Sequence, residues 1–343
     1  MTTASVLLTV STTWSANNEK CEKECEKEER VGRGMRNVFA IAARELRETP
    51  TARDQALRLM REWIEKNTDI KNVRTDESFL LRFLRQKKYS IPMAQQTLLK
   101  YLSLRTYYPI SFKNLDSEEP KINEIISNGY IAVSPVRDSE GRRVIVYNIC
   151  NFDATKFNCW DMCRVHIMIY ECLMEDPIDQ ICGIAHVGDG QGATAAHVIA
   201  WNPIDFGRLF KWGEQSVPMR HKVCHIINLP SALKYIIDFA SSKVPAKMHN
   251  FLNLVNRLNI SITELHKHMD PKCLPKSYGG QISQQDMIQF TKQLLNDNRK
   301  NLLSLDDMEI LSTRGIISSR RKNNGLNNDM GSVEGSFRKL EID

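Results

Sequence analysis

The residues of this chain best suited to chemistry are a glycine-rich turn and a scatter of histidines and cysteines. Gly188-Asp189-Gly190-Gln191-Gly192-Ala193-Thr194 has the composition of a strand-to-helix turn, where backbone amides can cradle a phosphate. It lacks the lysine and following hydroxyl residue of a P-loop, and its glycines miss the dinucleotide-binding spacing. A tight turn that simply needs small residues is the competing reading. His221 and His225 stand four apart around Cys224; on a strand that spacing sends both to one face with no third ligand, which favours a structural role for His225. His266 and His268 precede Asp270 without the glutamate of a metalloprotease motif. His166 shares a helix with Cys163 and Tyr170, as a polar spot in a pocket or as an exposed side chain. Cys21/Cys25 and Cys159/Cys163 are each four apart but lack a matching second pair, so no metal site is expected. No nucleophile, base and orienting group can be assembled by spacing. The chain is expected not to be an enzyme, with no catalytic residue and no cofactor.

The elements that must position these residues change character along the chain. Residues 1–45 read as a disordered leader, Ser/Thr-rich and then mixed in charge from Lys20 to Arg30. Residues 46–115 read as a small helical subdomain. One helix follows Thr49-Pro50, an N-cap with proline at the first helical position. A second carries Phe79, Leu80, Phe83 and Leu84 on one stripe, with Arg82, Arg85, Lys87 and Lys88 on a basic flank that is either solvated or functional. A third runs from about Ser90 toward Tyr107. Residues 116–297 alternate short apolar runs with helices. Tyr130 to Val133 and Arg143 to Asn148 are joined by the turn residues Asp138-Ser139-Glu140-Gly141, and further strands are expected at Gly183 to Asp189 and Lys222 to Asn228. This alternation predicts an α/β layer structure with a largely parallel sheet. From Ser231 to Phe251 the sequence is apolar on several faces, as a buried helix or as a lid. Residues 298–343 read as a polar, flexible tail.

The chain has 343 residues and a formal net charge of +6, which suits an anionic membrane surface or weak nucleic-acid contact equally well. No stretch approaches the roughly 18 apolar residues of a membrane span, so a soluble protein is expected. The odd number of cysteines, nine, with no convincing secretory signal, favours reduced thiols in the cytoplasm.

Taken in order, Phe79-Leu80-Leu81-Arg82-Phe83-Leu84-Arg85, then Asp138 and Gly141 before Val144-Ile145-Val146-Tyr147, then His225-Ile226-Ile227-Asn228 with Pro230, and finally Leu274-Pro275 leading to Tyr278-Gly279-Gly280 resemble the CRAL-TRIO family over residues 50–297. The resemblance implies a CRAL-TRIO lipid-binding fold: a mixed, largely parallel sheet flooring a hydrophobic cavity, preceded by the helical subdomain and closed by a mobile helix. It implies that one tocopherol-, retinoid- or other lipid-like molecule is sheltered and transferred between membranes. The implied cavity wall is Ile145, Tyr147, Cys163, His166, Ile167, Tyr170, Ile184, His186, Val198, Leu209, Phe210 and Trp212. The implied gate is Leu233, Ile236, Ile237, Ala240 and Val244, with Phe239 toward the membrane. Basic positions that bind phosphoinositide in some relatives match Lys87, Arg220 and Lys247, with Lys222 nearby, while the fourth falls on Phe251. The partners so implied are a hydrophobic lipid and an anionic, phosphoinositide-bearing membrane, not nucleic acid, with reversible peripheral association from the cytoplasm. A phosphoinositide-reading recruitment adaptor is the alternative.

Overall fold

The computed structural model describes residues 37–202, 205, 209, 212–213, 215–230 and 257–313. The expected gate (Leu233, Ile236, Ile237, Phe239, Ala240, Val244), Phe210 and Lys247 lie outside them.

The chain enters through α1 (37–46, ending in the π-helical turn Ala42–Leu46) and continues as α2 (Pro50–Lys66), β1 (Ile70–Lys71), α3 (Glu77–Gln86), α4 (Ile91–Tyr107), α5 (Pro109–Phe112) and α6 (Pro120–Ser127). Thr49 caps α2 by accepting from the Ala52 amide, with Pro50 at the first turn, and Asp76 caps α3 by accepting from Phe79. There follow β2 (Ile131–Val133), β3 (Arg143–Asn148), α7 (Cys159–Leu173), α8 (Pro177–Cys182), β4 (Ile184–Asp189), α9 (Ala195–Trp201), β5 (His221–Ile227) and β6 (Arg257–Ile260). The chain then forms α10 (Ile262–His266), α11 (Gln284–Asp297), α12 (Arg299–Ser304) and β7 (Glu309–Ile310).

The five-stranded sheet has the order β2-β3-β4-β5-β6; β2 is antiparallel to β3 and every other pairing is parallel. This is the mixed α/β sheet expected from the alternating pattern. β2 and β3 are joined around Asp138, whose carboxylate accepts from the Glu140 and Arg142 amides, with Gly141 at a left-handed φ of 78°. β2, β3 and β4 bury both faces, as strands of a sheet covered on both sides do. Ile131, Val133, Ile145 and Ile184 join the larger core with α3, α4 and α7, while Val144, Val146, Ala185, Val187 and Ile227 meet Leu265, Met269, Leu274 and Tyr278 on the opposite face.

The structure departs from the sequence reading at both ends. The leader was expected to reach residue 45, yet α1 docks through Val38, Ala42 and Leu46, one helical turn apart, onto Ile178, Ile181 and Cys182. The polar tail was expected from residue 298, yet α12 and β7 fold back onto the helical part. β7 pairs antiparallel with β1 (Ile70 opposite Ile310), Asp306 accepts from Arg105 at 2.5 Å, and Arg299 holds Asp116 at 2.7 Å. The helical subdomain is therefore completed by residues more than two hundred positions away.

The two arginines of the basic flank of α3 are neither solvated nor open, while Lys88 at its end is exposed. Arg82 is fully buried and bonded to Glu171 and Glu175, each at 2.8 Å, while Arg85 grips Glu48 through two bonds (2.7 and 2.9 Å) and Gln180 through a third (2.8 Å).

Candidate functional site

The positions expected to line a cavity come from α7 and from the sheet face it covers. On α7, Cys163, His166, Ile167 and Tyr170 recur at three- and four-residue intervals and so share a side. A capping box at Asn158 and Asp161 starts the helix. On the sheet, Ile145 and Tyr147 of β3 stand beside Ile184 and His186 of β4 by parallel registration. Ile145, Ile167, Ile184 and His186 are buried. Tyr147, Cys163, His166, Tyr170, His221, Cys224 and Ile226 are only half-buried although they sit between two layers. Leu209 and Trp212 pack on the same core, where Trp212 lies 4.3 Å from Tyr108. Val198 is half-buried on α9, where it is Trp201 that reaches the Phe152 ring (6.2 Å).

A continuous hydrogen-bonded line runs across this space. Tyr130 Oη meets His166 Nε2 (3.1 Å), and His166 Nδ1 meets Tyr170 Oη (3.4 Å). Tyr170 Oη meets Tyr147 Oη (3.3 Å), Tyr147 Oη meets His186 Nδ1 (2.7 Å), and His186 Nε2 meets His221 Nδ1 (2.8 Å). The rings also stack, Tyr147 on His166 at 5.0 Å and on His186 at 5.8 Å.

Burial keeps every member neutral. It lowers His221 to about 4, lowers His166 to about 4 with added repulsion from His221 once that ring is protonated, and lowers His186 well below the usual imidazole range. It raises the Tyr130, Tyr147 and Tyr170 hydroxyls and pushes the Cys224 thiol up to about 12. Raised thiols and lowered imidazoles are the reverse of what a nucleophile and its base require. The arrangement is instead a ladder of neutral donors and acceptors, which can orient one polar group of an otherwise apolar molecule.

Two members escaped the sequence reading. Tyr130 was taken only as part of a strand, and its distance of 36 residues from His166 hides the pairing. His221 was expected to share a face with His225. A bulge in β5 opposite Ile184/Ala185 breaks the alternation, so His221 faces His186 while His225 lies on the other side, stacked 6.1 Å from His268. Gly183 stands next to that bulge. At φ 83° it passes so close to β5 that a Cβ would stand 2.5 Å from the Arg220 carbonyl oxygen. Gly183→Ala is expected to cost about 2 kcal/mol through overpacking and left-handed strain, read as a lower denaturant midpoint at unchanged m.

The other candidates for chemistry resolve into structure. In the glycine-rich turn, Asp189 accepts from Gln191 (2.9 Å), Asn228 (3.1 Å) and the Tyr278 hydroxyl (2.8 Å). Thr194 borders an open groove of about 560 Å³ with Asn128, Cys150, Asp153 and His197, and no lysine or arginine lines it. His266 bonds the Tyr278 carbonyl at 2.6 Å and His268 bonds Glu264 at 3.0 Å. Of the expected phosphoinositide ligands, Arg220 and Lys222 come together on one carboxylate, Glu45 Oε2, at 2.7 and 2.5 Å. Lys87 follows Gln86, which donates to the Val217 carbonyl and so sets the end of α3 beside the approach to β5. No described helix is long and apolar enough to cross a membrane, and no cluster of metal-binding side chains occurs among the described residues.

Comparison with known proteins agrees with this architecture. The CRAL/TRIO domain profile matches residues 127–280, from just before β2 to the Gly279-Gly280 turn. The chain is 30% identical over 255 residues to Clavesin-1 of Xenopus laevis, covering 73% of this chain and 75% of that one. It is 27% identical over 254 residues to Clavesin-2 of Homo sapiens, covering 74% and 76%. The crystal structure of Sfh5 aligns with 70% of this chain and 92% of its own at a TM-score of 0.45 and 10% identity. With the domain match and the two clavesins in agreement, the chain belongs to the CRAL-TRIO family, whose members are lipid-binding transfer proteins.

Proposed function

We propose that this protein carries one hydrophobic molecule bearing a single neutral polar group, in the space between α7 and the sheet, and transfers it between membranes. The supporting observation is the Tyr130–His166–Tyr170–Tyr147–His186–His221 line, uncharged throughout and only partly covered. Six groups with one mobile proton each share five links. Such a line can be polarised toward either end, and so can answer a ligand hydroxyl or a ligand carbonyl. A carboxylate or phosphate placed against it would be a buried charge with no cation among these six partners, at a cost of several kcal/mol. The apolar remainder supplies affinity: each buried methylene is worth about 0.8 kcal/mol, so a lipid leaves a bilayer only for a nearly complete apolar substitute. The segment Ser231 to Phe251, outside the described residues, supplies the gate in this reading. Anionic head groups at the Arg220 side guide the docking.

Lipid extraction with mass spectrometry of the purified protein tests the reading directly. A stoichiometric alcohol, aldehyde or ketone lipid is the expected result, and an empty protein that neither binds nor moves such lipids between vesicles would sink it. Tyr147→Phe removes two of the five links, those to Tyr170 and His186. It is expected to weaken a hydroxyl- or carbonyl-bearing ligand about tenfold while leaving a hydrocarbon of the same shape unchanged, as measured by fluorescence titration. Equal losses for both ligands would place the polar group elsewhere.

A further inference from the structure

The pair Arg220 and Lys222 is covered by the chain's own N-terminal helix. α1 lays Val38, Ala42 and Leu46 on α8, which turns Glu45 toward β5. A single oxygen, Oε2, receives Arg220 Nη2 at 2.7 Å and Lys222 Nζ at 2.5 Å, while Arg220 Nη1 donates to the Ile181 carbonyl. Residues 220 and 222 reach the same oxygen because His221 between them turns inward at the bulge. Partial burial would raise the Glu45 carboxyl, but its bonds to Lys222 and Arg220 outweigh that and hold it at about 2, so it is ionised at any physiological pH.

Two features make this contact a cover and not a fixed strut. It is wet: Glu45 is 30% exposed, Lys222 28% and Arg220 12%, so water and a membrane surface both have access to its rim. It is also hinged. α1 ends at Arg47, a non-glycine residue at φ 62°, where the Arg47 and Glu48 amides close the helix on the Ala43 and Ala42 carbonyls and the Glu48 carboxylate grips Arg85. Rotation about Arg47 lifts α1 at the cost of those two cap bonds and of the Val38, Ala42 and Leu46 contacts, while the Glu48 side chain stays on Arg85. One carboxylate offers two cations a single oxygen, whereas a phosphomonoester presents three, so exchange gains charge-assisted bonds.

We propose that α1 is a displaceable cover over an anionic-membrane docking site, in which Glu45 occupies the place of a lipid phosphate until the protein meets a charged bilayer. The choice of a membrane as partner rests on the carrier reading above; the occlusion itself rests on the Glu45 contacts. It makes docking conditional, because a surface of low charge density cannot compete with an intramolecular carboxylate.

Vesicle flotation of the full chain tests it, using phosphatidylcholine vesicles with and without phosphatidylinositol phosphate. Glu45→Gln, which keeps the shape and removes the charge, is expected to raise affinity for the anionic vesicles about five- to tenfold, with no gain on neutral ones. Glu45→Lys, which repels α1 from the pair, is expected to do at least as much, and Glu45→Gln/Arg220→Gln is expected to lose the gain. The proposal is overturned if both Glu45 variants bind anionic vesicles as the unaltered chain does, or if the gain persists without Arg220. It is also overturned if Glu45→Gln strengthens binding only to soluble inositol phosphate, which would make the pair a site for a free phosphate. Lipid extraction of the same preparations separates the two ideas: an empty cavity counts against the carrier reading, and an unchanged flotation profile counts against the cover.

Discussion

Arg82→Met is expected to destabilise the protein by about 3–5 kcal/mol, a large share of a typical total of 5–15. The reason is the company the guanidinium keeps. Arg82 lies at the centre of the interface between α3 and α7, with no exposed side-chain surface, and bonds Glu171 and Glu175 at 2.8 Å each. Glu171 is itself buried and has one other described partner, the Tyr101 hydroxyl at 2.8 Å. Methionine fills the volume but strands the Glu171 carboxylate in a nearly dry interior, and a lone buried charge costs more than the pair contributed. The double change Arg82→Met/Glu171→Met removes both charges and is expected to recover most of the loss. Urea unfolding of the two singles and the double gives the coupling directly. A single that costs less than 1 kcal/mol would mean that water reaches the carboxylate.

Acid is expected to begin destabilising this domain near pH 6.5, above the range in which ordinary carboxylates titrate. Burial lowers His166 and His221 from 6.5 to about 4 and lowers His186 well below 6.5, so the folded state holds these imidazoles neutral while the unfolded chain binds their protons. No stability is lost above pH 6.5. As the pH falls from 6.5 toward 4 each histidine costs about 1.4 kcal/mol per unit, and for His166 and His221 the loss levels off below about 4, where the folded state also binds the proton. Asp179 opposes them. Burial raises its carboxyl from 3.8 to about 6 against the pull of Arg143 and Arg137, so between pH 6 and 4 the folded state takes up one proton that the unfolded chain does not. The net is about two protons, or roughly 3 kcal/mol per pH unit, enough to exhaust a domain of ordinary stability near pH 4–5. Denaturant midpoints measured between pH 7 and 4.5 should show this slope, and His186→Phe should reduce it by about one proton. A flat profile would mean that the line of histidines is hydrated in the folded state.

Much of the architecture was legible as period and punctuation. The apolar stripe Phe79, Leu80, Phe83 and Leu84, the Thr49-Pro50 cap, the Asp138–Gly141 turn and the helix–strand alternation are all local patterns, and each one appears in the fold. The ordered motifs from Phe79 to Gly280 were likewise enough to indicate the family. α1 was missed although its signal was present: Val38, Ala42 and Leu46 are four apart, but the charged run before them drew the boundary too late.

What sequence spacing could not supply was pairing across the chain. Whether Arg82 and Arg85 face water or Glu171, Glu175 and Glu48 depends on residues as far as 93 positions away, because ion pairs are made by packing and carry no periodic trace. A bulge adds one residue without a compositional mark, and that one residue reverses the faces of His221 and His225. The line from Tyr130 to His221 likewise draws on β3, β4, α7 and the ends of β2 and β5, which meet only when the sheet is assembled under its helix. Residue type and local period set the elements of this lipid-binding fold and the kind of space they enclose. The burial that neutralises its histidines, and the fold-back that sets Glu45 on Arg220 and Lys222, arise from long-range packing, where desolvation and charge pairing are decided by three-dimensional neighbours.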